Sequence, residues 1–234
     1  MFTLGIECSS RQGSLALLKD GELIGEKSWI ADRVRHNTIF KTLETFIEEA
    51  DMSYHDISLF AVGRGPGSFS GMRMSFAIAQ ALALPDKKEV RAVSSGAALA
   101  LQVARTFLSA QVDEGQTGMS APQQIAVVGD ARRGQVWIGV FHVDAMSSPR
   151  LQLLDDWKLV PYDEISVPEG TVVVSPEAER LTELFSELAC PEGTRRGTSS
   201  FPHAKEVAEL AQVGSEELEP LYMHPPVFIE PKYA

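Results

Sequence analysis

The sequence predicts an α/β protein built from two related halves, the second shorter than the first. Three observations carry that expectation. Three consecutive strand-like segments open the chain, a similar trio returns after residue 122, and segments with helical spacing follow each trio. The 234 residues are 44% hydrophobic and 23% charged, enough apolar material for a sizeable core.

Phe2–Cys8 reads as a buried strand and Gly13–Lys19 as the next. Asp20-Gly21 is a strong hairpin turn, and Glu22–Trp29 returns as the third strand. From Asn37 to Ala50 the period changes. Ile39, Phe40, Leu43, Phe46, Ile47 and Ala50 recur as one helical stripe. Leu59–Val62 is a short strand that runs into Gly63-Arg64-Gly65-Pro66-Gly67-Ser68-Phe69-Ser70-Gly71, a loop by its glycines and proline. A helix over Gly71–Ala83, a strand over Val90–Val93 and a helix over Gly96–Leu108 complete the first half.

Residues 109–122 are polar and aperiodic and read as a linker between a first subdomain, 1–108, and a second, 123–234. In the second, Ile125–Asp130, Gly134–Val143 and Arg150–Leu159 repeat the three-strand theme. An acid, Glu7 or Asp130, ends the first strand of each trio, and a glycine, Gly13 or Gly134, opens the second. A strand at Thr171–Ser175 and helices at Glu177–Leu188 and Pro202–Val213 follow. The tail from Glu219 is broken by four prolines yet apolar enough to pack back on the body.

The net charge is −11, which disfavours a stand-alone nucleic-acid binder, since phosphate contacts need clustered Lys and Arg. Residues 1–117 carry a net −2 and residues 118–234 a net −9. Cys8 and Cys190 form no disulfide framework and match no metal spacing. No secretory leader or spanning segment is legible, so the expected location is the cytoplasm.

The glycine loop is the sharpest chemical feature. Gly65, Gly67 and Ser68 precede a helix, so free backbone N–H groups could hold a phosphate there. No lysine follows, as a P-loop requires. The third position after Gly65-x-Gly67 is Ser70 rather than glycine, and Phe69 stands where a nucleophile elbow needs serine. The alternative is a tight turn with Ser68 or Ser70 capping the helix. The helix itself carries small residues four apart, Gly71, Ser75, Ala79 and Ala83, and is apolar almost all round. It is either wholly internal or faces a partner on one side. Glu7 and Asp130 either face a cleft as metal-associated carboxylates or satisfy backbone at strand ends. Arg132-Arg133 either face phosphate or pair with Asp130. The five histidines include no pair four apart, so no helical metal site is expected.

At these residues the chain resembles the TsaB (YeaZ) family of bacterial tRNA threonylcarbamoyladenosine biosynthesis. The resemblance spans essentially the whole chain. It is carried by Leu4–Ser9, Arg35-His36-Asn37, Ala61–Arg73 with its glycine loop, Val93-Ser94-Ser95, Asp130–Val136 and Pro220-Leu221-Tyr222. Ser70, Ser75 and Cys8 depart from the residues the family usually has there. The resemblance implies an ASKHA fold (the actin, Hsp70 and sugar-kinase type, ribonuclease H-like), with the second subdomain truncated. It implies a non-catalytic subunit that pairs with TsaD, the catalytic relative, which transfers threonylcarbamoyl to the adenosine beside the tRNA anticodon. TsaE, a small ATPase, joins the pair, and tRNA is met only through the complex. The implied partner surface falls on the helices at 37–50 and 71–83, at Thr38, Thr42, Thr45, Gly71, Met74, Ser75, Ile78 and Ala79. The same surface serves a homodimer when the chain is alone. No cofactor or metal of its own is implied, with ATP or ADP at the interface of the complex. Two other readings compete: a sugar-kinase-like phosphotransferase using the glycine loop with Glu7 or Asp130, which the fold would allow, and a metalloprotease, which the lack of paired metal ligands opposes.

Overall fold

The computed structural model describes residues 1–30, 38–114, 123–144, 150–183 and 200–224. The opening trio forms as expected: β1 (Phe2–Glu7), β2 (Gln12–Lys19) and β3 (Glu22–Ile30), antiparallel in sequence. Asp20 and Gly21 both take positive φ, +52° and +89°, as the tight hairpin demands. Then come α1 (Thr38–Glu49), β4 (Ile57–Gly63), α2 (Phe69–Ala83), β5 (Glu89–Val93) and α3 (Ser95–Glu114). The first sheet has the order β3-β2-β1-β4-β5, with β4 and β5 parallel to β1. Its central strand is buried on both faces. Leu4, Ile6, Leu15 and Leu17 meet Leu43, Phe46 and Phe76 of α1 and α2 on one side. Each such fully buried side chain contributes about 1.5–3 kcal/mol.

The second half repeats the scheme with β6 (Gln124–Arg132), β7 (Gln135–Asp144), β8 (Arg150–Leu153), β9 (Lys158–Pro161) and β10 (Val172–Val174). The order is β10-β6-β7-β8, with β9 also on β7 and β10 parallel to β6. Here β6 corresponds to β1, β7 to β2, the β8/β9 pair to β3 and β10 to β4. Among the described residues no counterpart of β5 follows.

Three sequence expectations change. The segment Arg150–Leu159 is two strands, because Trp157 turns inward against Gly96 and Gly139 and stacks edge-on with Trp137 and Phe141. The helix begun at Ser95 continues to Glu114, into the segment read as loop; residues 115–122 lie outside the described residues. Glu177–Glu183 is mostly turn, and the rest of the helix expected to Leu188 lies outside the described residues, as do Arg35-His36-Asn37, Cys190 and the tail beyond His224.

Two helices cross over between the halves. Leu99, Ala100 and Ala104 of α3 pack on Ile125, Val127 and Phe141 of the second sheet. The last helix, α4 (Ala204–Val213), packs instead on the first sheet, where Ala204, Val207, Ala208 and Ala211 meet Ala16, Leu18 and Ala61. That approach needs Gly5. A Cβ there would lie 2.2 Å from the Ala204 carbonyl oxygen and 3.1 Å from the Ala208 Cβ. Gly5→Ala should therefore push α4 off β1 and cost about 1–3 kcal/mol, read as a lower urea midpoint in equilibrium unfolding.

Candidate functional site

A cleft of ≈ 1220 Å³ lies between the halves, lined by the β1–β2 turn, the glycine loop and start of α2, the β6–β7 turn, residues 176–180 and the tail at 221–224. Behind the β1–β2 turn and the glycine loop lies Glu7, which ends β1. Glu7 is wholly buried and does not line the cleft. Its Oε1 accepts the Ser9 N–H, and its Oε2 accepts the Ser95 hydroxyl at 2.7 Å. Ser95 in turn accepts the Gly65 N–H through Oγ, and its own N–H donates to the Gly65 carbonyl. Gly63 is required here, since a Cβ would sit 1.7 Å from Glu7 Oε2. Burial pushes the Glu7 carboxyl above the usual carboxylate range, against the opposing pull of the Ser9 and Ser95 hydrogen bonds.

The glycine loop folds onto the same strand end. The Ser68 N–H donates to the Ser9 carbonyl, and Ser68 Oγ accepts the Gly71 N–H as the cap of α2. A Cβ on Gly67 would meet the Ser9 oxygen at 2.1 Å, and one on Gly71 the Cys8 oxygen at 1.8 Å. The N–H groups of Gly65, Ser68 and Gly71 thus have partners within the chain. Ser68 caps α2, as the tight-turn reading expects. Burial pushes the neighbouring Cys8 thiol up to about 12.

The second half mirrors this arrangement. Asp130, expected to end the first strand of this half, stands two residues inside β6 at a register shift against β7, and its Oδ1 accepts the N–H of Arg132 two residues on at 2.8 Å, as Glu7 Oε1 accepts that of Ser9. Asp130 also takes the Tyr162 hydroxyl and pairs with the Arg132 guanidinium at 2.6 Å. Its own N–H donates to Glu177, whose carboxyl burial pushes up. Arg132, Arg133 and Gly134 run through left-handed backbone in succession, φ +69°, +56° and +73°, and that explains the glycine. Asp130 does line the cleft, but its oxygens are committed to the turn.

The residues expected at a partner surface divide. Gly71, Ser75, Ile78 and Ala79 are buried, so the small-residue ridge of α2 lies inside this chain, where Gly71 abuts β1. Thr38, Thr42, Thr45 and Met74 are half-buried; the Thr42 hydroxyl donates to the Thr38 carbonyl at 2.7 Å and that of Thr45 to the Lys41 carbonyl. What α2 exposes is the opposite stripe, Arg73, Ala77, Gln80, Ala81 and Leu84, and α1 exposes Phe40, Lys41 and Glu44 on the same face of the first sheet. The expectation missed Arg64, a buried arginine that holds the tail. It also missed a group at the cleft mouth: the Phe69 and Tyr222 rings lie 5.0 Å apart, with the Arg73 guanidinium 4.4 Å over Phe69. The group's three members lay in two separate motifs, Phe69 and Arg73 in Ala61–Arg73 and Tyr222 in the tail, and nothing in the sequence joined them.

Sheet order, repetition and cleft define a truncated protein of the ASKHA fold. The solved structure of YeaZ from Pseudomonas aeruginosa shares it, with TM-score 0.69 over 94% of this chain and 99% of that one, at 22% identity. The family model of TsaD, tRNA N6-adenosine threonylcarbamoyltransferase, matches residues 29–148. The tRNA threonylcarbamoyladenosine biosynthesis protein TsaB of Escherichia coli K12 is 28% identical over 88% of this chain and 94% of its own length. The TsaB of Bacillus subtilis is 29% identical over 60% of this chain, a match that spans 55% of that protein. The chain belongs to this family, on its TsaB (YeaZ) branch.

The raised Glu7 carboxyl fixes a sign. A carboxyl whose folded pKa lies above its unfolded value stabilises fully below the unfolded value, and that contribution is lost as pH rises through the folded one. Unfolding free energies of the parent and Glu7→Gln should therefore diverge in favour of the variant over the pH range above the ordinary carboxyl value of 4.5, whatever their offset at low pH. A constant difference across that range would show that Glu7 titrates as an ordinary exposed carboxyl.

Proposed function

We propose that this chain is a non-catalytic subunit of tRNA threonylcarbamoyladenosine synthesis. It pairs with a TsaD-type transferase, which carries the chemistry, and a TsaE-type ATPase joins them. On this reading tRNA is met only through the complex, ATP or ADP binds at the interface of the complex, and the chain works in the cytoplasm without a membrane. The names of its curated relatives support the pathway. One observation carries the division of labour. The carboxylates of Glu7 and Asp130 are occupied in holding backbone, whereas α1 leaves Phe40 exposed and α2 leaves Ala77 exposed, with Leu84 at its C-cap, all on the nearly neutral half. Apolar side chains on a helix pair without repelling net charge suit another helical surface. The same stripe serves self-association when the chain is alone.

The phosphotransferase reading needs donors for phosphate and a carboxylate free to act as base. The glycine loop gives the N–H groups of Gly65, Ser68 and Gly71 to its own chain, and Glu7 is sealed beneath it.

The pairing surface is thus the exposed stripe rather than the buried ridge. Phe40→Asp and Ala77→Arg should abolish co-elution with the host's TsaD-type protein and leave the thermal unfolding midpoint within a few degrees of the parent. Ser75→Leu, at a buried site, should lower that midpoint instead. Undisturbed co-elution of both stripe variants would remove the proposed surface.

A further inference from the structure

The tail does more than cover the body. Glu216 bridges to Ala92 at the free edge of β5, its N–H donating to the Ala92 carbonyl at 2.8 Å, and its carboxylate accepts the Ser94 N–H at 2.7 Å. Arg64 then gathers the following turn. Its Nε donates to the Glu219 carbonyl at 3.0 Å, its two terminal nitrogens lie 3.3 Å from Glu216 and Glu217, and its own carbonyl accepts the Leu221 N–H at 2.7 Å. The Arg64 side chain is only 8% exposed, whereas its carboxylate partners Glu216 and Glu217 are 44% and 77% exposed, so what anchors the turn is the buried guanidinium with its bond to the Glu219 carbonyl. Three residues on, the Tyr222 hydroxyl accepts from Arg73 Nε at 3.0 Å and its ring meets Phe69. Met223 then packs on the core of the second half, and His224 Nε2 donates to the Ala131 carbonyl at 2.8 Å.

One short segment is therefore anchored in the first half, lines the cleft and ends bonded to the second half. We propose that Glu216–His224 is a clasp that holds the two halves at one fixed separation, with Arg64 as its anchor and the His224–Ala131 contact as its catch. The direct bridge across the cleft, Arg11 to Glu179, joins two side chains that are each more than half exposed, and such pairs contribute little. α3 and α4 join the halves through the body, leaving the cleft side to the clasp. In folds of this type two packed bodies can rock about their connections, and the clasp removes that freedom without filling the cleft.

The test places nitroxide labels at Glu22→Cys and Glu169→Cys, exposed sites in different halves, in the full chain carrying Cys190→Ser. Buried Cys8 stays unlabelled. Pulsed electron resonance should give one narrow distance for the parent and a broad distribution for Arg64→Ala and for His224→Ala. Arg11→Ala should stay as narrow as the parent. Amide exchange at Ser94 and Leu221 should rise about tenfold or more in Arg64→Ala, the equivalent of one lost hydrogen bond, and stay near parent rates in His224→Ala. The His224 variant changes a half-buried side chain at the end of the described tail, so it decides the matter even where Arg64→Ala fails to fold. Narrow distributions in every folded variant, or equal broadening with Arg11→Ala, would overturn the clasp.

Discussion

The Glu7 carboxylate, buried beneath the glycine loop between Ser9 and Ser95, is the contact on which the rest of the structure depends. It joins the end of the central strand to the start of α3, and through Ser95 it holds Gly65. The close approaches of Gly63, Gly67 and Gly71 follow from it, since each glycine meets an oxygen of residues 7–9. A carboxyl taken fully out of water is costly, and hydrogen bonds from two elements far apart in sequence offset that cost only when both are in place. The strand end therefore fixes where α2 begins, and with it which face α2 shows to solvent.

The duplication gives this motif twice, with different outcomes. Glu7 and Asp130 each accept the N–H two residues ahead, one sealed under a glycine loop and the other beside the cleft with Arg132 and Tyr162 around it. The second sheet has a split third strand and no described counterpart of β5. The crossing of α3 and α4 lets each sheet bury a face against a helix from the other stretch of sequence. A chain whose second half is short covers its sheets in this way without a full second set of helices.

Much of this was legible in the residues. The alternation of β1 to β3, the turn at Asp20-Gly21 and the stripe of α1 are local signals, and they formed within a residue or two. The matched acids at 7 and 130 marked the repeat because each accepts the N–H two residues ahead, a local contact, although Glu7 ends β1 and Asp130 stands two residues inside β6. What failed was non-local. Spacing on α2 gave a small-residue ridge but could not say whether β1 or another molecule lies against it; Gly71 and Ser75 are buried within this chain. Arg64 looked like one more polar residue in a loop, because its partners, Glu216, Glu217 and the Glu219 carbonyl, lie some 150 residues away. Trp157 interrupted an expected strand for the same reason, its pocket being built by Gly96 and Gly139.

If the chain acts by pairing and not by chemistry of its own, the carboxylates of Glu7 and Asp130 are dispensable for turnover while the fold persists. The direct measurement is the rate of threonylcarbamoyladenosine formation on tRNA by the host's purified TsaD-type and TsaE-type proteins, with this chain supplied as parent, omitted, or carrying Glu7→Gln together with Asp130→Asn. The account predicts little product without the chain and a rate within about twofold of the parent with the double variant. A rate that collapses with the double variant, while it still folds and still pairs, would place a catalytic carboxylate in this subunit and contradict the account.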